Sequence, residues 1–447
     1  MKAVNLLIVR WIKHFLDKFL GVFSILPLLC IMLRLKHSSI YLTQATHSNE
    51  LIQSLIRGNI AMNQLDLSAM KPAIFSTDRL NEFLNEEFLH GTSNLSSGFN
   101  RPLHSLSSGE QKKALLNHLI FQDADYFILD QLYDHVDVQG RASMLATIQL
   151  IAQTKPVIQL VHRQKEILPF VQDYYCYQAQ QLVYFENNDL WQAWMEIQLS
   201  KTNNKKIPKS INQQLAPTGP LVKLIDVCVS YEEKPILNSI NWTIEPGECW
   251  QLMGPNGSGK STLLSLITGD NPKGFGQELF LFGRKKGSGE SVWDIKQFIG
   301  YFNPILIQHF SRLDSIENMI VSGCLDSIGL YIKPSEMQLR VAHEWLEFLD
   351  LISFKNKPIQ YLTPAQQRMV LIARAMVKHP PLLILDEPTS GLDDAGASLV
   401  VGMIQQVIAE TNIAVLFVSH QKEPGFEPKN IFELIPSKNG STGGIKI

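Results

Sequence analysis

The 447-residue sequence is poor in cysteine, in net charge and in long apolar runs. Its five cysteines (Cys30, Cys176, Cys228, Cys249, Cys324) are scattered and no pair has CxxC spacing, so neither a zinc site nor a disulfide framework is expected. Reduced, intracellular thiols fit that pattern. The formal net charge is −2. Without a global excess of positive charge, direct nucleic-acid binding is not expected. One apolar run stands out, residues 19–33 (FLGVFSILPLLCIML), with Lys13 and Lys18 before it and Arg34 and Lys36 after it. It falls short of the roughly 20 residues a spanning helix needs, and Pro27 interrupts it. No small-residue cleavage site follows, which argues against a signal peptide. Two readings stay open for it, a buried segment and a membrane-surface element. What remains is ordinary globular composition, 45% apolar and 18% charged, on a chain long enough for two or three domains.

Residues 254–261 read GPNGSGKS, a G-x-x-x-x-G-K-[ST] motif with every required position filled. The apolar run CWQLM (249–253) leads into it, and STLLSLIT leads out with helical spacing of Leu263, Leu264 and Ile267. A strand, a glycine-rich loop and a helix start together make a phosphate cradle, because backbone N–H groups converge there. The expected binding set is Gly254, Pro255, Asn256, Gly257, Ser258, Gly259, Lys260, Ser261 and Thr262, with Lys260 reaching the β- and γ-phosphates and the Ser261 hydroxyl ligating Mg²⁺. A second element, PPLLILDE (380–387), reads as a buried parallel strand. Asp386 at its end is placed to hold Mg²⁺, and Glu387 to polarise the attacking water.

With these two elements, residues 221–447 resemble the ABC ATPase family. The resemblance implies an α/β fold of the P-loop type and ATP with Mg²⁺ as ligands. Tyr231 (in VSY) stands where the family has an adenine-stacking aromatic, SGLD (390–393) where it has the D-loop, and His420 (in FVSHQ) where it has the γ-phosphate switch histidine. The family signature, LSGGQ, appears as YLTPAQQR (361–368) with Pro364 and Ala365 in place of glycines. Pro364 removes a backbone donor, so this signature is expected to be impaired. Pro304 stands at the usual Q-loop place, with Gln308 as a candidate substitute.

The same grammar recurs upstream. LSSGEQK (106–112) is a signature, YFILD (126–130) a strand ending in Asp130, HVD (135–137) a D-loop, and VIQLVH (157–162) a switch strand. Leu106 to Asp130 and Leu362 to Asp386 both span 24 positions, and Asp130 to Asp137 and Asp386 to Asp393 both span 7. Two tandem cassettes are therefore expected, the first incomplete: an atypical apolar segment over 1–36, a degenerate first cassette over 37–199, a linker over 200–220 and a second cassette over 221–447. Gln131 replaces Glu387 in the first, and an amide is no general base. IYLTQ (40–44) reads as the first cassette's Q-loop. Lys260 precedes position 304 by 44 residues, so the corresponding lysine would fall at about position 0, and residues 1–36 are expected to be foreign to the cassette, from a lost or frameshifted start or from divergence.

ABC cassettes pair head to tail, each phosphate loop meeting the other cassette's signature. On that pattern one site would combine Lys260, Ser261, Asp386, Glu387 and His420 with Ser107, Ser108 and Gly109, and the other would be degenerate. The runs PGECWQLMGPNGSGKSTLLSLITGDNPKGF, LFGRKKGSGESVWDIKQFIGY and SGCLDSIGLY resemble the ModF-type tandem ATPases, strongly over 220–425 and weakly over 37–200. That likeness implies a cytoplasmic ATPase, or one peripheral at the inner face of the plasma membrane, driving a permease subunit, with molybdate as the substrate class on resemblance alone. The alternatives are an ABC-F-like ATPase acting on ribosomes and a non-catalytic ATP-binding remnant.

Overall fold

The structure, a computed structural model, describes residues 36–446 apart from 44–47, 63–66, 92–94, 96–100, 135, 137, 179, 200–204, 210–218 and 421. The chain divides into two compact units, Met1–Ile197 and Gln198–Ile447. The apolar run 19–33, Gln44, His135, Asp137 and most of the 200–220 stretch lie outside the described residues. No described helix is long and apolar enough to cross a membrane.

The first unit runs β1 (Ser38–Leu42), α1 (Ser48–Ile56), β2 (Pro72–Phe75), α2 (Thr77–His90), α3 (Ser108–Ile120), β3 (Tyr126–Asp130), α4 (Val138–Ala152), β4 (Val157–Val161), β5 (Asp173–Gln178), β6 (Gln181–Phe185) and α5 (Asn188–Leu199). Its sheet order is β2-β3-β4-β1-β5-β6, parallel as far as β5 and closed by the antiparallel β5–β6 hairpin. YFILD and VIQLV are buried at every position, as strands covered on both faces must be. Alternate residues serve opposite layers: Phe127 and Leu129 pack with α3 and α4, Tyr126 and Ile128 with α1. Ser76 caps α2 by accepting from the Arg79 amide, and Gly91 ends it in the left-handed conformation.

The second unit runs β7 (Val222–Tyr231), β8 (Lys234–Ile244), β9 (Cys249–Met253), α6 (Lys260–Ile267), β10 (Glu278–Leu281), β11 (Arg284–Lys285), α7 (Val292–Lys296), β12 (Ile299–Phe302), α8 (Ile316–Ser322), α9 (Glu336–Phe348), α10 (Pro364–Met376), β13 (Leu382–Asp386), α11 (Asp394–Glu410), β14 (Ala414–Val418), β15 (Asn430–Ile435) and β16 (Thr442–Lys446). Its six-stranded sheet has the order β12-β13-β14-β9-β15-β16, and a four-stranded antiparallel sheet, β11-β10-β7-β8, covers one face. The cover is aromatic at its centre. Trp242 of β8 stacks on Phe432 of β15 at 4.3 Å and meets Trp250 of β9 edge-on at 5.4 Å. The opposite face packs α10 and α11. Residues 205–209, inside the stretch read as a linker, lie against this unit: Ile207 is buried in its core and its amide donates to the Glu410 carboxylate at 2.8 Å.

Strand for strand the two sheets match, β1 answering to β9, β2 to β12, β3 to β13, β4 to β14 and β5–β6 to β15–β16. The match corrects the reading of IYLTQ as a Q-loop. β1 sits between β4 and β5, as β9 sits between β14 and β15, so residues 38–42 form the strand that leads into the phosphate-loop position. The Q-loop place belongs to the end of β2, where Ser76 answers to Asn303. The subtraction failed because the units differ in length here. Ser38 to Pro72 spans 34 positions and Cys249 to Ile299 spans 50, the second unit inserting β10, β11 and α7. The sequence between β1 and α1, residues 43–47, reads TQATH, without the glycines or lysine of the motif.

Candidate functional site

Lys260, Asp386, Glu387 and His420 lie just past the carboxyl ends of β9, β13 and β14. That is where a parallel sheet opens a crevice. The loop after β9 turns because Gly254 and Gly259 take positive φ (153° and 92°). A Cβ on Gly254 would stand 2.6 Å from the Ser258 hydroxyl, and one on Gly259 would stand 2.8 Å from Leu237. A side chain at either position would strain the backbone, and at Gly254 it would also press on the Leu434 carbonyl at 3.0 Å. Pro255, Asn256 and Gly257 form the exposed rim of the loop, and Ser261 and Thr262 open α6. Lys260 folds over the loop, its ammonium donating to the carbonyls of Gly254 at 2.6 Å and Pro255 at 3.1 Å.

Opposite the loop, β13 ends in Asp386, and the backbone then bends at Glu387, which has φ 50°. Its amide donates to the Val418 carbonyl of β14 at 3.0 Å, which anchors the bend. This places the Glu387 carboxylate 3.0 Å from Nδ1 of His420. A carboxylate only accepts, so Nδ1 carries the proton. Nε2 of His420 and the hydroxyl of Ser258 are buried without a hydrogen-bond partner. Of the two, the Ser258 hydroxyl is a donor that a bound phosphate group would satisfy. The Asp386 carboxylate is held by Asn303 Nδ2 at 2.9 Å and the Tyr301 hydroxyl at 3.3 Å. Burial, and then the neighbouring Glu387, push its pKa upward, a cost that a divalent cation beside Ser261 and Asp386 would offset.

Asn303 and Tyr301 were not singled out from the sequence. Asn303 is one residue ahead of Pro304, and Pro304 begins a 3₁₀ turn in which Gln308 is exposed, so the amide that reaches Asp386 is that of Asn303. A polar residue closing the β12 strand was the available signal. Tyr231 closes β7, half-exposed, with its hydroxyl bonded to Asn271. The signature helix α10 starts with Thr363 as its cap and Pro364 in its first turn, where the missing N–H would lack a helical partner in any case. Ala365 is buried.

The corresponding place in the first unit is put together differently. Ser48, opening α1, donates to Asp130 Oδ2 at 2.8 Å, and His162 Nδ1 bonds the Leu42 carbonyl at 3.0 Å. Gln131 has φ 48°. The buried ammonium of Lys112 donates to the carbonyls of Gln131 at 2.7 Å and Asp134 at 3.0 Å. The signature itself is well formed: Ser107 caps α3 in a reciprocal capping box with Glu110, and Ser108 and Gly109 lie on its first turn.

This sheet order, with a glycine-rich loop after the central strand and an Asp–Glu pair ending its neighbour but one, defines an ABC-type P-loop ATPase cassette. A family model described as ABC transporter matches residues 237–390. The chain is 38% identical over 330 residues to the ABC transporter ATP-binding protein ModF of Escherichia coli K12, covering 71% of this chain and 67% of that protein. It is 28% identical to an uncharacterized ABC transporter ATP-binding protein of Schizosaccharomyces pombe, covering 72% and 66%. The chain thus spans about two thirds of the length of these curated relatives. A solved structure entitled RNase-L Inhibitor matches 91% of this chain and 85% of its own at a TM-score of 0.61 and 14% identity, a likeness of fold alone. The chain belongs to the ModF-type ABC transporter ATP-binding proteins.

Proposed function

We propose that the chain hydrolyses ATP at one site, built on Lys260, and that the corresponding place in the first unit binds no nucleotide. The glycine loop and Lys260 take the phosphates, Tyr231 takes the adenine, Ser261 and Asp386 take Mg²⁺, and Glu387 accepts a proton from the attacking water. Mg²⁺, when bound, draws charge from the γ-phosphate oxygens. His420 donates to the Glu387 carboxylate through Nδ1 and keeps it turned into the crevice. On the family's head-to-tail pattern alone, Ser107, Ser108 and Gly109 are the signature that would meet this nucleotide. The reading is carried by the contrast between Glu387, hydrogen-bonded to His420, and Gln131, which has no carboxylate to offer.

In the cell this ATPase works in the cytoplasm, or at the inner face of the membrane, as the energising part of a transport system whose permease is a separate chain. The ModF name supports molybdate as the substrate class. Steady-state ATPase measurements test the reading. Glu387→Gln is expected to lower turnover by about 10²- to 10⁴-fold while ATP binding persists, and Lys260→Ala is expected to lose binding. Turnover equal and near zero in wild type and Glu387→Gln would favour a binding remnant. Co-sedimentation with ribosomes instead of membranes would favour the translation-factor alternative.

A further inference from the structure

The Asn271 side chain uses all of its hydrogen-bonding groups in a single local network. Its Oδ1 accepts from the Lys273 amide at 3.0 Å, which fixes the orientation of the amide. Nδ2 then donates one proton to the Tyr231 hydroxyl at 2.9 Å and the other to the Ser265 hydroxyl at 2.9 Å. Ser265 passes the link on by donating to the Thr262 carbonyl at 2.7 Å. The Asn271 amide N–H also donates to the Ser265 carbonyl at 2.9 Å. A continuous chain of hydrogen bonds therefore runs from the ring at the end of β7 to the first turn of α6, which carries Lys260 and Ser261.

The two ends of this chain differ in a way that gives it a use. Asn271 is buried, with 4% of its surface exposed, whereas Tyr231 is 43% exposed at the end of β7. An exposed tyrosine on a strand end samples several rotamers, and stacking on a base would have to freeze them. A hydroxyl tethered to a buried amide is already restricted, so less entropy is lost on binding.

From this geometry we infer that Asn271 is a positioning residue. It holds the Tyr231 ring at a fixed height above the phosphate loop, so that adenine and triphosphate are gripped together. The inference rests on the reading of the Lys260 loop as the nucleotide site. It assigns the hydroxyl of Tyr231 a role that a phenylalanine could not fill, although the stacking face would be the same.

The test is calorimetric binding of Mg-ATP, and of inorganic tripolyphosphate as a probe without a base, to the full chain. Wild type is compared with Tyr231→Phe, Asn271→Ala, the double variant and Lys260→Ala. Tyr231→Phe is expected to weaken ATP binding by about threefold to tenfold, the scale of ordering one freed side chain on binding, to leave tripolyphosphate binding unchanged, and to lower the thermal midpoint slightly because the buried Asn271 loses an acceptor. In the Asn271→Ala background, removing the hydroxyl is expected to cost nothing more, because both changes cut the same bond. ATP affinity unaltered in Tyr231→Phe, or additive losses in the double variant, overturns the positioning role. If Asn271→Ala does not fold, the single-atom change in Tyr231→Phe still decides the matter. Lys260→Ala separates the two layers. If it binds ATP as wild type does, the site reading fails and the inference with it. If it loses ATP while Tyr231→Phe keeps full affinity, only the role of Asn271 fails.

Discussion

Gln131 and Glu387 occupy the same position in two matching sheets, each just past the aspartate that ends its strand, and both bend the backbone into the left-handed region, at φ 48° and 50°. Such a backbone costs about 1–3 kcal/mol for a residue other than glycine. In the second unit the bend presents a carboxylate to His420. In the first it presents an amide whose backbone carbonyl is taken by Lys112. The strained geometry has persisted where the base has been lost. It follows that restoring the base should not restore chemistry. Gln131→Glu is expected to leave total ATPase turnover unchanged, since the sequence between β1 and α1 contains neither lysine nor glycine. Turnover rising towards twice the wild-type value would show that the first unit still binds nucleotide.

The first unit also carries a buried acid with an incomplete set of partners. Asp130 is 5% exposed, one of its oxygens takes Ser48, and the other has no hydrogen bond. Burial raises its pKa from 3.8 to about 6, against the pull of Ser48 and His162. A carboxyl group raised in this way favours folding when protonated. Its contribution is present in full below pH 4 and is lost as pH rises through 6. Asp130→Asn keeps the shape and cannot ionise. It is expected to raise the stability of the first unit at pH 8 by on the order of 3 kcal/mol, an advantage that shrinks towards zero between pH 6 and pH 4. Thermal melts across that range check both the sign and the window.

How much of this was legible in the sequence depended on whether the signal was contiguous. GPNGSGKS and LLILDE announce strand, loop and catalytic pair within a few residues, because the chemistry needs neighbours in the chain. Asp130 and Gln131 were readable for the same reason. The position of IYLTQ was not. A parallel sheet inserts β1 between β4 and β5, and nothing local in SSIYL distinguishes a strand before a phosphate loop from one before a Q-loop. Only the sheet order settled it, and the spacing borrowed from the second unit misled because three elements are missing between α1 and β2 among the described residues. Asn303 and Asn271 were hidden for a related reason: each acts on a residue at least 40 positions away in sequence.

Gly109 offers a test of the signature that folding does not confound. No heavy atom lies within 4 Å of the position a Cβ would take there. Gly109 sits in the first turn of α3, where alanine is at least as good a helix former. Gly109→Ala is therefore expected to leave thermal stability within about 0.5 kcal/mol of wild type. If the signature completes the Lys260 site, ATPase turnover falls by about tenfold or more while stability holds. Unchanged turnover would remove Ser107, Ser108 and Gly109 from the active arrangement.

Asn303 tests the metal side of the same site. Its Nδ2 holds Asp386 Oδ2, its Oδ1 accepts from the Ile305 amide at 2.8 Å, and the Tyr301 hydroxyl supports the same carboxylate oxygen. The carboxylate is thereby aimed before any cation arrives. Outer partners of this kind typically change metal affinity or activity by about 10- to 100-fold when removed. Asn303→Ala leaves Lys260, the loop and Glu387 untouched, so ATP binding in the presence of a chelator is expected to match wild type. The gain in affinity on adding Mg²⁺ should shrink, and turnover should fall by about tenfold with it. A variant that loses chelator-resistant binding to the same degree would assign Asn303 to the fold of the crevice rather than to the orientation of Asp386.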